Sequence, residues 1–289
     1  MNPVKSRTGK DLKITKRSFK VSNGMKFSII GTGFILPAHV QAIRDVGGEI
    51  IDIVNNCRGE DYWKQIIQST RADCIVVLTP NYLHKEITLE AVKNGKIVLC
   101  EKPLVLNSKD CEELIGKGKI FSVLQLRHHP LLKDIRADIK ETGNVINMDI
   151  SVYRDQKYYE GWKGQKEKSG GVLFNLGIHY FDLLLYLFGD ATEIKTEYLD
   201  EKTGRGTIKG LNYICNWHVS TDAKKDNQKR IFEINGTDYN FSSKDNLSFE
   251  NLHRFVYEDL LKGGGVDPEQ ALKSIKLVEK AYANDHLSS

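Results

Sequence analysis

At 289 residues, with 40% hydrophobic and 28% charged side chains, the chain has the make-up of a globular protein of one large or two medium domains. It has no run of about 18 apolar residues and no apolar leader, so neither a membrane span nor export is expected and the cytoplasm is the default location. The net charge of +4 comes from residues 1–24, which hold seven Lys/Arg and one acid and read as a mobile basic extension ahead of Met25; the other 35 basic and 37 acidic residues balance, so the body gives no expectation of nucleic-acid binding.

In chain order, the apolar run 26–31 ends in glycine and reads as a buried strand, and 36–46 shows helical spacing with Pro37 in a first turn, where its missing N–H is harmless. A strand at 49–54, a helix at 61–69, a strand at 74–78, a helix at 84–94 and a strand at 97–100 follow. Ser108 is placed to cap a helix to 117, and a further strand is expected over 120–126. Apolar strands alternating with helices predict a doubly wound, parallel α/β sheet over 25–126. Beyond it come a helix at 130–141, a strand at 145–154, a polar Lys- and Gly-rich stretch to 171, and an apolar helix over 173–188. Strands near 191–200, 207–219, 229–235 and 238–242 and helices at 248–262 and 268–284 complete the chain. Strands in succession predict an antiparallel sheet, so 127–289 reads as a second domain.

Five scattered cysteines without a C-x-x-C pair argue against a disulfide framework, and no His/Cys/Asp cluster has ligand spacing, so no metal is expected. The turn Gly31-Thr32-Gly33-Phe34-Ile35-Leu36 joins the first strand to the first helix. Two glycines there permit a tight turn and let a pyrophosphate reach the N–H groups of a helix start, although Leu36 stands where the usual fingerprint has a third glycine. The second strand ends in Asn55 and Asn56 rather than an acid, with Arg58 close behind, so a ribose hydroxyl and a 2′-phosphate both remain possible ligands and NAD is not separated from NADP.

Thr79, Pro80, Asn81 and His84 follow one strand at its carboxyl end, and Glu101-Lys102-Pro103 follows another, so both loops lie on the sheet edge where ligands of such folds bind. In Gly170-Gly171-Val172-Leu173-Phe174-Asn175-Leu176-Gly177-Ile178-His179-Tyr180-Phe181-Asp182, the polar residues Asn175, His179 and Asp182 fall at i, i+4 and i+7. A polar stripe on an apolar helix fits either a hydrogen-bonded core histidine or a catalytic one.

Together these motifs resemble the glucose-fructose oxidoreductase/inositol dehydrogenase/rhizopine-catabolism (Gfo/Idh/MocA) family over about residues 25–285. The resemblance implies a Rossmann domain followed by an α+β domain with an open, mostly antiparallel sheet, NAD as cofactor, and assembly as a homo-oligomer of two or four copies. The segments Leu124-Gln125-Leu126-Arg127-His128-His129 and Trp162-Lys163-Gly164 are similar to the branch that oxidises UDP-N-acetylglucosaminuronic acid at C3 for bacterial surface polysaccharide, a branch in which Asn175 also fits. The chain is shorter than that pattern after the second strand and in the C-terminal sheet.

The resemblance implies hydride transfer from a sugar carbon to nicotinamide, with Lys102 and His179 as the catalytic pair on the reacting hydroxyl. Gly31, Thr32, Gly33, Phe34, Ile35, Asn55, Thr79, Pro80, Asn81, His84, Glu101 and Lys102 are then expected along the cofactor, and Arg127, His128, Lys163 and Asn175 beside the substrate, with Lys166 and Lys168 as further cations. Two other readings stand beside this one: a dehydrogenase of the same family acting on another sugar or cyclitol, and a non-catalytic dinucleotide-binding regulator.

Overall fold

The computed structural model describes residues 24–55, 61–242 and 249–284; the basic extension up to residue 23, and Asn56 and Arg58, lie outside them. Strand β1 (Lys26–Ile30) buries its last four residues, as a strand covered on both faces must. After it come α1 (Leu36–Asp45), β2 (Glu49–Val54), α2 (Tyr62–Ser69), β3 (Cys74–Val77), α3 (His84–Lys93), β4 (Ile97–Glu101), α4 (Ser108–Leu114) and β5 (Ile120–Val123). The strands form one parallel sheet in the order β2-β1-β3-β4-β5. Strand order reverses between β1 and β3, which opens a crevice at their carboxyl ends.

Two local expectations need correction. Helix α4 is capped by Asn107, whose side chain accepts the Asp110 N–H, and not by Ser108; Asn107 has the extended backbone that an N-cap needs. Strand β5 stops at Val123 because Gln125–His128 winds into a 3-10 turn.

The second domain comprises α5 (Leu132–Asp138), β6 (Asn144–Ser151), α6 (Gln156–Tyr159), α7 (Lys166–Ser169), α8 (Ile178–Phe188), β7 (Ala191–Leu199), β8 (Thr203–Gly210), β9 (Tyr213–Ser220), β10 (Lys229–Ile234) and β11 (Thr237–Asn240). Its sheet runs β11-β10-β6-β9-β8-β7, with β6 parallel to β9 and the other pairs antiparallel. The expected strand over 207–219 is two strands. Leu211 and Asn212 turn between them with Leu211 95% exposed, so its apolar character hides a hairpin tip. The polar stretch to 171 is also not irregular: it holds α6, a 3-10 turn at Trp162–Gly164, and α7, which ends at Gly170 with φ 79°.

The segment Lys166–Phe188 is long and apolar enough to cross a membrane, the one such helix among the described residues. It is instead the core of the second domain, with Tyr180, Phe181, Leu183 and Leu184 fully buried. The last two helices, α9 (Phe249–Leu261) and α10 (Pro268–Asn284), bind the halves together. Val256, Tyr257 and Leu260 of α9 pack with Phe27, Ile29 and Leu36 of the parallel sheet and α1. Helix α10 lies against α4 as well as α8 and β7. A chain segment from beyond residue 126 thus completes one face of the first domain.

Candidate active site

At the crevice, Gly31 adopts φ +114°, and a Cβ there would meet the Leu78 carbonyl carbon and oxygen at 2.5 Å, so only glycine permits the chain to pass so close to the end of β3. Among the described residues, a Cβ on Gly33 would meet nothing within 4 Å, and no side chain caps the N-terminus of α1. Open space over an uncapped helix start suits a pyrophosphate. Asn55 is exposed at the end of β2, and the buried Thr79 Oγ1 has no hydrogen-bond partner among the described residues. These residues fit a dinucleotide laid along the carboxyl edge of the sheet.

Three more of the expected cofactor residues, His84, Asn81 and Glu101, make hydrogen bonds that tie the loops of the site together. His84 is fully buried, with Nδ1 2.7 Å from the Pro103 carbonyl oxygen and Nε2 3.0 Å from that of Thr79, and so ties the loop after β3 to the loop after β4. Burial lowers its pKa, and a neutral ring donates to only one of the two carbonyls at a time. Asn81 Nδ2 donates to the Ser169 carbonyl at 2.8 Å and to Asn175 Oδ1 at 3.3 Å, reaching across to the second domain. Glu101 is enclosed by two histidines that sequence reasoning passed over: its Oε1 lies 3.0 Å from His39 Nε2 and 3.4 Å from His253 Nε2. The fold thus gathers three metal-type donors within 4.8 Å, although their separation in sequence shows no ligand spacing.

Lys102 leaves the end of β4 through a cis peptide to Pro103, and its Nζ donates to the Asn175 carbonyl at 2.5 Å. That carbonyl sits in a π-helical turn, Leu173–Gly177, that leads into α8; π-turns interrupt the ordinary helical ladder and recur at functional sites. The uniform helix expected over 173–188 is therefore broken at the residues that face Lys102. One turn on, His179 is 9% exposed, and its buried Nδ1 has no hydrogen-bond partner among the described residues. Burial, then the nearby Lys102 cation, hold the His179 ring well below its usual pKa, so it is neutral near pH 7. Burial also lowers Lys102 to about 8; Glu101 opposes this and Arg154 reinforces it. The pair therefore consists of a neutral acceptor and a cation close to its titration point.

Lys163 projects from the second domain over the glycine turn, 4.7 Å from the Phe34 ring and 4.4 Å from that of Tyr158. Phe34 is 77% exposed, a large apolar face on the crevice. Burial, then repulsion from Lys102 and Arg154, brings Lys163 to about 8. Arg154, absent from the expected site, has its guanidinium carbon 5.2 Å from the centre of the same Tyr158 ring. Its signal was a cation at the carboxyl end of the strand expected over 145–154. His39 likewise had a signal, a histidine within the buried stripe Leu36, His39, Ala42, Ile43.

Two expected substrate residues, Arg127 and His128, are engaged elsewhere, as is the neighbouring His129. Arg127 binds Asp182 through two hydrogen bonds, Nε to Oδ2 at 2.8 Å and Nη2 to Oδ1 at 2.7 Å, and also donates to Gln270 at 3.0 Å. His128 stacks on Phe255 and lies 3.7 Å from Asp259, both on α9. His129 is buried against Phe241. Lys166 and Lys168 lie over Tyr282 and Tyr82, at 4.5 and 5.7 Å. Of the cations expected beside the substrate, Lys163 is the one the fold brings to Lys102.

A parallel sheet with a glycine turn at its switch point, faced by a second-domain helix that sets a histidine opposite a lysine, defines a two-domain dinucleotide-binding protein. The chain belongs to the Gfo/Idh/MocA oxidoreductase family: residues 25–119 match its NAD-binding Rossmann fold and residues 137–219 its C-terminal alpha/beta domain. Among curated relatives it is 35% identical over 142 residues to the 2,7-anhydro-N-acetylneuraminate hydratase of Escherichia coli K12, covering 45% of this chain and 37% of that protein. It is 27% identical over 190 residues to the glucose-6-phosphate 3-dehydrogenase of Bacillus subtilis 168, covering 56% and 53%. The matched region thus spans about half or less of these two relatives. The WlbA (WbpB) dehydrogenase of Thermus thermophilus, solved with NAD and alpha-ketoglutarate and with NAD and UDP-GlcNAcA, superposes with TM-scores of 0.79 and 0.78 at 26% identity, over 90% of this chain and 94% of that one.

Proposed function

We propose that this protein is an NAD-dependent dehydrogenase of a sugar hydroxyl, and that its substrate is a UDP-linked uronic acid, UDP-N-acetylglucosaminuronic acid oxidised at C3. The observation that carries the reading is the apposition of neutral His179 and cationic Lys102 at the edge of the dinucleotide crevice, with Lys163 and Arg154 beside them. Bound NAD supplies the acceptor for the hydride. His179 takes the hydroxyl proton, or the hydrogen bond that precedes its transfer. Lys102 donates to the same oxygen and stabilises the negative charge that develops there. The Asn175 carbonyl keeps Lys102 Nζ aimed from the side of α8. Lys163 and Arg154 form a cationic margin suited to a carboxylate or diphosphate. The likeness to the Thermus thermophilus dehydrogenase bound to NAD and UDP-GlcNAcA supports this substrate; a place in the making of surface-polysaccharide sugars rests on the resemblance of the Leu124–His129 and Trp162–Gly164 segments alone.

One observation favours a second reading. Arg127, His128 and His129, which carried half of the likeness to the nucleotide-sugar branch, are occupied by Asp182, α9 and Phe241. A dehydrogenase of a simpler sugar phosphate or cyclitol would need only the Lys163 side of the site. The test is to mix protein and NAD with UDP-sugars, hexose phosphates and inositols and to follow absorbance of the reduced nicotinamide, with and without 2-oxoglutarate. Reduction with UDP-N-acetylglucosaminuronic acid alone supports the first reading. Reduction with a hexose phosphate or inositol alone replaces it with the second.

A further inference from the structure

The two histidines around Glu101 come from opposite ends of the chain. His39 lies on α1 and His253 on α9, and both side chains are fully buried. Their rings sit edge to face with centroids 4.6 Å apart. Each presents Nε2 to Glu101 Oε1, and the other carboxylate oxygen, Oε2, accepts the backbone N–H of Lys102 at 3.3 Å. Tyr257, one turn after His253 on α9, places its hydroxyl 2.8 Å from His39 Nδ1. Burial brings His39 down to about 4, so at neutral pH its ring carries one N–H. With that hydrogen on Nε2, His39 donates to Glu101 and accepts from Tyr257, and the hydrogen bonds close without a cation.

We propose that α9 governs the reacting lysine from outside the crevice: His253 directly, and Tyr257 through His39, hold Glu101 as a carboxylate against Lys102 and so fix the charge and the aim of its ammonium. His253 and His39 are positioning residues, and Glu101 is the group through which they act. The inference rests on the dehydrogenase reading for its consequence but not for its geometry.

The electrostatic surroundings give the clamp its leverage. Lys102 is acted on by Arg154 beyond β6, by Lys163 and His179 from the second domain, and by His84 on α3. Glu101 is the carboxylate that opposes burial and Arg154 there. Burial alone would push the Glu101 carboxyl up, but the hydrogen bonds from His253 and His39 and the electrostatic attraction of the same two rings together hold it well below the usual carboxylate range. Without those donors a buried carboxylate takes up a proton. Lys102 then loses its counter-charge and releases its own proton at lower pH.

The test reads Lys102 directly, through the pH dependence of its acylation followed by peptide mass spectrometry, in the full chain and in the variants His253→Leu, His253→Gln and Glu101→Gln. The unaltered chain should give a midpoint near 8. In His253→Leu and Glu101→Gln the midpoint should fall by about one to three pH units, the usual effect of losing an adjacent opposite charge. In His253→Gln, whose amide N–H still donates, it should stay near the original value. The basic limb of kcat/KM should move with it. An unmoved midpoint in both His253→Leu and Glu101→Gln overturns the clamp. So does one equivalent of zinc in the purified chain that is lost in His253→Leu, since the three donors would then be metal ligands. A midpoint that moves as described in a chain that reduces no NAD upholds the clamp and overturns the dehydrogenase reading instead.

Discussion

Arg127 shows how a side chain can carry a familial motif and yet serve the fold. Its guanidinium grips Asp182, whose side chain is 3% exposed, and lies 4.9 Å over the Tyr186 ring. Removing one partner of a buried pair leaves the other charge without compensation, at a cost of about 3–5 kcal/mol. Arg127→Ala should therefore lower Tm sharply in a thermal melt, and at permissive temperature its KM should change less than its stability. Lys102 and His179 should behave in the opposite way. Lys102→Ala and His179→Ala should each lower turnover by about 10²–10⁴-fold, as expected for loss of a proton-transfer group, while circular dichroism stays native. The pH profile follows from the same pair. His179 must be neutral, and its lowered pKa moves the acid limb of kcat/KM well below 6.5; Lys102 must be charged, and it loses its proton as pH rises through about 8. Activity should hold between those limits, and an acid limb at or above 6.5 would contradict the assignment of His179.

At the scale of elements, the glycine turn and the π-turn are the parts that repay mutation. Gly31→Ala places a methyl group against the Leu78 backbone at a positive φ, so the unliganded protein should lose stability. Gly33→Ala meets nothing within 4 Å among the described residues, so the unliganded Tm should be unchanged while NAD affinity, measured by calorimetry, falls. Equal behaviour of the two variants would contradict the placement of the pyrophosphate over Gly33. These elements also show what was readable in the sequence. The strand–turn–helix around Gly31 and the alternation through β5 were legible because hydrophobic period and glycine placement are local signals. The hairpin at Leu211 was not, because its tip is apolar. The π-turn at Leu173–Gly177 was not, because the sequence around Asn175 keeps its helical apolar spacing on both sides of the inserted residue. Ser108 was read as the cap that Asn107 in fact supplies, because Ser and Asn both favour that position and only backbone geometry separates neighbours.

At the scale of the molecule, the site exists because three distant segments converge. The first domain brings Gly31 and Lys102 to one sheet edge, α8 brings His179 across, and α9 returns to pack on α1 and hold Glu101. Lys102 and His179 could be named from their motifs, each of which is short and contiguous. The contacts His39–Glu101 and His253–Glu101 could not, because periodicity reports which face of a helix is buried and not what it meets. Arg154 stayed hidden for a related reason: a cation at the end of a strand is ordinary until the second sheet turns it toward Lys102. The same convergence explains why the expected cations divided, with Lys163 reaching the glycine turn and Arg127 drawn into the seam that α8 and α10 share with the first domain.

The measurement that bears most directly on the Lys102–His179 pair is a single-turnover reaction of enzyme, NAD and UDP-N-acetylglucosaminuronic acid, followed at the absorbance of reduced nicotinamide. A rapid rise is expected in the unaltered chain and a rise slowed about 100-fold or more in Lys102→Ala and in His179→Ala, with both variants still binding NAD. A rise of unaltered rate in either variant, or none in the unaltered chain when NAD is bound and the whole panel of sugars has been tried, would contradict the assignment of the pair.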